Sequence, residues 1–171
     1  RPQVITPEDI LDYLTLLKGQ PGNMINYNSL EAAASVNHNH GHLIPLDAIL
    51  EYKDEEGIRE TFDLLIDPDR LSDLKPSGPA FKIGSVTVRS VQLPEYDFPT
   101  VILEGPDPTQ LAGLSGGFAD YLIRHNVPHN VLFPNSEMVI VFVRTDDARK
   151  IIEDQLGLGI TAFQHLGIYT V

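Results

Sequence analysis

The chain has 171 residues, 42% of them hydrophobic, with no cysteine and a formal net charge of −12. This length suits one well-packed domain, and the missing cysteines exclude disulfides, thiol catalysis and thiolate metal sites. The acidic balance argues against sequence-independent nucleic-acid binding, and no apolar run is long enough for a membrane span. We therefore expect a single domain over residues 1–171 in the cytoplasm. Its first residue is Arg1 rather than Met, which suggests a piece of a longer protein.

One helix and then several strands are predicted for the first half of the chain. Thr6 is placed to cap a helix with Pro7 in its first turn, and Ile10, Leu11, Leu14 and Leu17 recur on one face. Strand-like patterns then cover 24–30, 35–44, 81–93 and 98–103. Residues 48–52 and 61–66 resemble a strand pair joined by the acidic turn 53–57.

The second half begins with the clearest helix start in the chain. Asp107 is predicted to cap, Pro108 to open the first turn and Gln110 to complete a capping box. The apolar stripe of this helix consists of Leu111, Leu114, Phe118, Tyr121 and Leu122. Two buried strands follow at 131–133 and 138–143, then a third helix from Thr145 and an apolar tail over 157–171 that ends in a strand. This order of elements predicts an α+β fold with a mainly antiparallel sheet.

Three of the six histidines fall within five residues, at His38, His40 and His42. In a strand, residues two apart share a face, so the three side chains would form a row with spacings of roughly 6–7 Å. Gly41 would face the other way, which suggests that another part of the protein approaches closely behind the row.

Three interpretations of this row stay open. It can be an exposed strand with incidental histidines. It can be a metal site, since neutral imidazole is a common metal ligand, although no supporting carboxylate stands at a recognisable spacing. It can also perform covalent nucleotidyl transfer, in which an imidazole nitrogen attacks the α-phosphorus of a nucleotide. That chemistry needs an oriented neutral imidazole and nearby hydrogen-bond donors for the phosphoryl oxygens.

The run from His38 through His40 and His42 to Pro45, preceded by Ser35-Val36, resembles the signature of the histidine-triad superfamily. The longer stretch from Tyr27-Asn28-Ser29 to His40 resembles the catalytic segment of the GDP-hexose phosphorylases. These are the GDP-D-glucose phosphorylases of animals and the GDP-L-galactose phosphorylases of plants, relatives of galactose-1-phosphate uridylyltransferase. Residues 93–99, 121–126 and 128–133 resemble the later half of that family in order and content.

The resemblance implies a histidine-triad-like fold and a ping-pong reaction on a nucleoside diphosphate sugar, without a cofactor or metal. His40 would be the nucleophile, with His38 and His42 as the other catalytic histidines. The implied phosphate or ribose contacts are Asn28, Ser29, Ser35 and Asn37. Sugar 1-phosphate would leave first, and phosphate or another acceptor would then discharge the nucleotidyl-His40 enzyme.

Two departures from the family keep alternatives open. The phosphorylases usually carry Gln at the position of His42, whereas histidine there is characteristic of the branch that hydrolyses nucleotides. Family members are also longer, and only some 30 residues precede the triad here. The chain would then be a fragment, a homodimer or partner chain would complete the site, or the chain would be a non-catalytic relative that binds a partner.

Two further features are predicted to be structural. His125 and His129 flank a short turn and are expected to cap or pack rather than bind substrate. Gly113, Gly116 and Gly117 lack the spacing of a nucleotide-binding loop and are expected to allow close helix packing.

Overall fold

The fold is seen in a computed structural model that describes residues 4–29, 32, 38–47, 74–92 and 99–144, and the backbone of 52–53 and 59–60. Within these ranges the chain forms two helices, a seven-stranded antiparallel sheet and a separate two-stranded hairpin. The predicted α+β class with a mainly antiparallel sheet is confirmed.

The sheet is open and has two edge strands. Its strands, numbered in chain order, are β1 (Asn23–Asn28), β2 (Gly41–Pro45), β5 (Phe81–Ile83), β6 (Val86–Gln92), β7 (Pro99–Glu104), β8 (His129–Asn135) and β9 (Met138–Val143). They lie side by side in the order β2-β1-β8-β9-β7-β6-β5. The small hairpin pairs β3 (Tyr52–Lys53) with β4 (Arg59–Glu60). The strand that carries His42, β2, therefore lies at one edge of the sheet.

Helix α1 (Pro7–Gly19) begins as the sequence predicts. The Thr6 side chain accepts a hydrogen bond from the Asp9 backbone N–H, and the Asp9 carboxylate accepts one from the Thr6 backbone in return. This reciprocal capping satisfies two backbone donors that a helix start leaves without partners. Ile10, Leu14 and Leu17 form the buried face of the helix.

Helix α2 (Pro108–Arg124) begins at Asp107, whose carboxylate accepts from the backbone N–H groups of Thr109 and Gln110. The Gln110 side chain donates to the other oxygen of Asp107, rather than reaching back to its backbone. The helix ends at Arg124, and Asn126 then adopts a left-handed conformation with φ 53°, as residues after a helix end often do.

Both helices cover one face of the sheet and bury its apolar side chains. Residues that alternate along the strands supply this core: Ile25, Tyr27, Val86, Val88, Leu103, Val131, Phe133, Val139 and Val141. The helices also contact each other, and Gly116 of α2 lies against Pro7 of α1. A Cβ at Gly116 would come within 2.7 Å of the Pro7 ring, so close packing at this glycine is confirmed. Among the described residues nothing lies within 4 Å of a Cβ added at Gly113 or Gly117, so the prediction was wrong for these two in that part of the chain.

The opposite face of the sheet is also buried, but it is polar near β1 and β8. Its buried side chains are Met24, Asn26, Asn28, Thr100, Ile102, Asn130, Leu132, Ile140 and Phe142. Three of these nine are asparagines, and all three lie on β1 and β8, next to the histidine strand. This face is therefore apolar over most of the sheet and polar at the asparagines of β1 and β8.

The structure corrects two further sequence predictions. The single strand over 81–93 is a hairpin, because Gly84 and Ser85 form a two-residue turn between β5 and β6 with φ +59° at Gly84. Tyr121 lies at the edge of the apolar stripe of α2 and is 54% exposed, whereas Leu111 and Leu122 are buried. The predicted helix from Thr145, the tail 157–171, and most of the strand pair 48–52 and 61–66 lie outside the described residues.

Candidate functional site

The histidine segment is only partly a strand. Pairing of β2 with β1 begins at Gly41, opposite Tyr27, and continues with His42 opposite Asn26. His38, Asn39 and His40 precede the strand, so the prediction of one strand over 35–44 was wrong at these three residues. The His40 ring bonds the carbonyl oxygen of His38, a local contact that takes up a backbone group otherwise available for pairing with a strand.

The three imidazole rings nevertheless form the predicted row. The ring centres of His38 and His40 are 5.1 Å apart, and those of His40 and His42 are also 5.1 Å apart. The ring planes meet at 45° and 76° respectively, so the second pair is edge-on. His38 and His42 are exposed and His40 is half-buried, which leaves the central ring supported by its neighbours yet open to a ligand.

A hydrogen bond to the backbone orients the central ring. Nδ1 of His40 lies 2.9 Å from the backbone carbonyl oxygen of His38. A carbonyl oxygen can only accept, so Nδ1 must carry the hydrogen in this contact. In the neutral ring, Nε2 then holds the lone pair. This tautomer presents Nε2 as a nucleophile, a base or a ligand.

Helix α1 supports the row from behind at Gly41. A Cβ at this position would lie 2.9 Å from the ring end of Tyr13 and 3.1 Å from Ile25, so the close approach predicted behind the row is confirmed. The Tyr13 ring in turn packs edge-on against Phe133, with ring centres 5.5 Å apart. Burial raises the pKa of Tyr13, and the carboxylates of Asp9 and Asp12 raise it further. Tyr13 therefore stays a neutral phenol that joins the histidine strand to the core.

Two of the predicted substrate contacts, Asn28 and Ser29, lie at the end of β1 and are buried. Ser29 is held by two hydrogen bonds, since its N–H donates to the His129 carbonyl and its Oγ accepts from the His129 N–H. Oδ1 of Asn28 accepts from Nδ2 of Asn130 at 2.5 Å and from Nδ2 of Asn26 at 3.3 Å. The other two predicted contacts, Ser35 and Asn37, lie outside the described residues.

Sequence reasoning missed Asn26 and Asn130. Together with Asn28 they form a buried group that we call the asparagine cluster. The sequence holds a signal for part of it, because Asn26 and Asn28 stand two apart in an otherwise apolar strand and so share a face. Nothing in the sequence indicates that Asn130, about a hundred residues later, lies opposite Asn28 in the neighbouring strand.

The two histidines predicted to be structural have structural positions. His125 follows the last residue of α2, and its ring centre lies 4.3 Å from that of Tyr121. His129 is fully buried, and its Nδ1 lies 2.9 Å from the Val127 carbonyl oxygen. Burial lowers the pKa of His129, and the bond to Val127 opposes that shift in part. Within the described residues no hydrogen-bond partner meets its Nε2.

The described residues contain no group of three or more histidine or carboxylate side chains arranged to hold a metal ion. The same part of the chain has no helix that is both long enough and apolar enough to cross a membrane. Comparisons with family models, with curated proteins and with solved structures gave no match to this chain.

Proposed function

We propose that this chain is a nucleotidyltransferase of the histidine-triad type, acting on a nucleoside diphosphate sugar through a covalent intermediate on His40. The observation that carries the proposal is the bond between Nδ1 of His40 and the His38 carbonyl, because it leaves Nε2 as the reactive nitrogen. The likeness of the histidine run and its flanking residues to the GDP-hexose phosphorylases, and with it a histidine-triad-like fold, belongs to the same proposal.

The first half-reaction uses Nε2 of His40 as its nucleophile. Nε2 of His40 attacks the α-phosphorus, a P–N bond forms, and the bond from that phosphorus to the bridging oxygen breaks. Sugar 1-phosphate leaves with the electron pair of that bond. The attacking imidazole must be neutral, and in the neutral ring the bond from Nδ1 to the His38 carbonyl leaves the lone pair on Nε2 before substrate arrives.

The second half-reaction restores His40. An oxygen of inorganic phosphate attacks the nucleotidyl phosphorus, the P–N bond breaks, and the nucleoside diphosphate leaves. Attack by water would instead release the nucleoside monophosphate. His42 favours this hydrolytic alternative as second candidate, because its exposed imidazole lies edge-on beside His40 and can accept a proton from water.

The test is direct detection of the intermediate. Protein incubated with labelled GDP-glucose, or with other nucleoside diphosphate sugars, is expected to gain an acid-labile nucleotidyl group that maps to His40. His40→Ala should abolish the gain. His125→Ala is the matched control, because His125 is an exposed histidine that follows the last residue of α2 and does not belong to the row.

The discharge products separate the two acceptors. Release of nucleoside diphosphate on adding phosphate supports a phosphorylase, and release of monophosphate in water supports a hydrolase. If no nucleotide substrate labels His40 and His40→Ala leaves any turnover unchanged, the enzyme proposal is wrong. Elemental analysis that found stoichiometric metal, lost in His38→Ala, would replace it with the metal interpretation.

A further inference from the structure

Burying the asparagine cluster inside the sheet has an unfavourable desolvation free energy. Asn26 is 1% exposed, Asn28 7% and Asn130 0%. Buried carboxamides must replace every hydrogen bond they give up to water, and Oδ1 of Asn26 has no partner within the described residues. Valine or leucine at these strand positions would bury more apolar surface without that cost. Polar groups retained against such a cost are found mainly at functional sites.

Asn130 is the residue that holds the cluster together. Its Nδ2 donates to Oδ1 of Asn28 at 2.5 Å and to the backbone carbonyl of Ala32 at 3.1 Å. An amide nitrogen has two hydrogens, so these two bonds use both of them. One side chain therefore fixes the end of β1 and also the fully buried Ala32, a residue of the segment that leads to the histidines.

The register of the sheet relates Asn130 and Asn28 to the histidine row. On β1, Asn26 pairs with His42 and Tyr27 with Gly41, the last pair, and Asn28 directly follows Tyr27 while His40 directly precedes Gly41. On its other side Asn28 pairs with Asn130 of β8. Residues opposed across an antiparallel pair have side chains on the same face. Asn28 thus pairs with Asn130 on one side and lies at the end of the paired stretch that leads to His40 on the other.

We propose that Asn130 is a positioning residue for His40, acting through the Asn28 amide that it orients and the Ala32 carbonyl that it holds. This inference rests on the proposed function, because it assigns Asn130 to the same reaction. Asn130 does not touch the nucleotide. It fixes the amide beside His40 before substrate arrives, and so reduces the reorganisation needed for attack.

The experiment measures the single-turnover rate at which labelled GDP-glucose modifies His40. Asn130→Ala is expected to slow this rate about tenfold or more, since small misplacements of reacting groups have effects of this order. The concentration of substrate that gives half-maximal rate should change much less. Val139→Ala is the control for lost stability, because Val139 is fully buried on the helix side of β9, away from the asparagines. It should label at the wild-type rate at any temperature where it is folded.

A double-mutant cycle tests whether Asn130 acts through Asn28. Asn130→Ala should have little further effect in an Asn28→Ala background, because coupled residues are non-additive. Independent, multiplying effects of the two substitutions would overturn the inference. So would wild-type labelling rates in folded Asn130→Ala protein.

A readout that does not need activity separates this inference from the proposed function. Nitrogen NMR of the imidazoles should report hydrogen on Nδ1 of His40 in the wild type and in Val139→Ala, and a mixture of tautomers in Asn130→Ala. If His40 is never labelled in the wild type, the proposed function is wrong, but the NMR comparison still tests whether Asn130 positions His40. An unchanged His40 tautomer in folded Asn130→Ala protein contradicts the inference whether or not labelling occurs.

Discussion

The contact between α1 and α2 makes a sharp prediction about Gly116. In Gly116→Ala the new Cβ would lie 2.7 Å from Cγ, 2.9 Å from Cα and 3.0 Å from N of Pro7. Carbon atoms attract best at about 3.5–4.0 Å, so the helices would have to separate by roughly 0.8 Å. Two of the three atoms belong to the backbone, and no rotation of a side chain can relieve those contacts.

The expected magnitude follows from two opposing terms. Overpacking in an interior costs about 1–3 kcal/mol, while replacing a helical glycine with alanine gains about 1 kcal/mol. Gly116→Ala should therefore lower the free energy of unfolding by about 0–2 kcal/mol. Gly113→Ala and Gly117→Ala are matched controls on the same helix, because an added Cβ there meets no described residue within 4 Å. These two should be stabilised by about 0.5–1 kcal/mol.

Thermal and urea unfolding, followed by circular dichroism, measure the difference. The free energy of unfolding should differ by about 1–3 kcal/mol between Gly116→Ala and either control. Each kcal/mol should change the melting temperature by roughly 2–4 °C for a domain of this size. If Gly116→Ala melts at or above the temperature of Gly113→Ala, the close approach of α1 and α2 at this position is wrong.

Three further predictions use other parts of the fold. Below pH ~6.5 a histidine in the unfolded chain binds a proton, whereas buried His129 stays neutral until the pH reaches its lowered pKa. The free energy of unfolding should therefore decrease as the pH falls from ~6.5 to the pKa of His129 in the folded protein, by at most ~1.4 kcal/mol per pH unit. Urea titrations across this range should show a smaller dependence in His129→Phe, and an unchanged slope would refute the assignment. Asp107→Ala removes two hydrogen bonds that cap α2 and should lower the free energy of unfolding, measured by chemical denaturation, by about 0.5–2 kcal/mol. The control Asp120→Ala breaks an exposed ion pair with Arg124 and should lower it by less than about 1 kcal/mol. Gly84→Ala should lower the free energy of unfolding by about 1–2 kcal/mol, because the φ of Gly84 is +59°. An unchanged melting temperature would contradict the turn between β5 and β6.

Local signals predicted the elements that depend on neighbouring residues. The start of α1 at Thr6 and the start of α2 at Asp107 were predicted correctly, because a capping side chain bonds backbone groups only two or three residues away. The hairpin at Gly84 was missed, since the apolar alternation on either side of the glycine reads as one continuous strand. The position of Tyr121 was missed because helical spacing cannot say where the apolar stripe ends.

The histidine row was predicted from spacing alone, and its three adjacent rings confirm the arrangement. The detail that matters most for chemistry was not predictable. The strand begins at Gly41, not before it, and this leaves the His40 ring able to bond the carbonyl of His38. Alternation along a strand fixes which residues share a face, but it does not fix where pairing with a neighbour stops.

The sequence by itself determined that this acidic, cysteine-free chain has an α+β fold and carries a row of three histidines within five residues. Composition, capping residues and spacing suffice for this, because they act over a few positions of the chain. Only the tertiary structure decided what surrounds the row. Tyr13 lies behind Gly41, and Asn130 reaches Asn28 across about a hundred residues of sequence. Contacts of that kind depend on strand order and register, which bring together side chains that no local pattern connects.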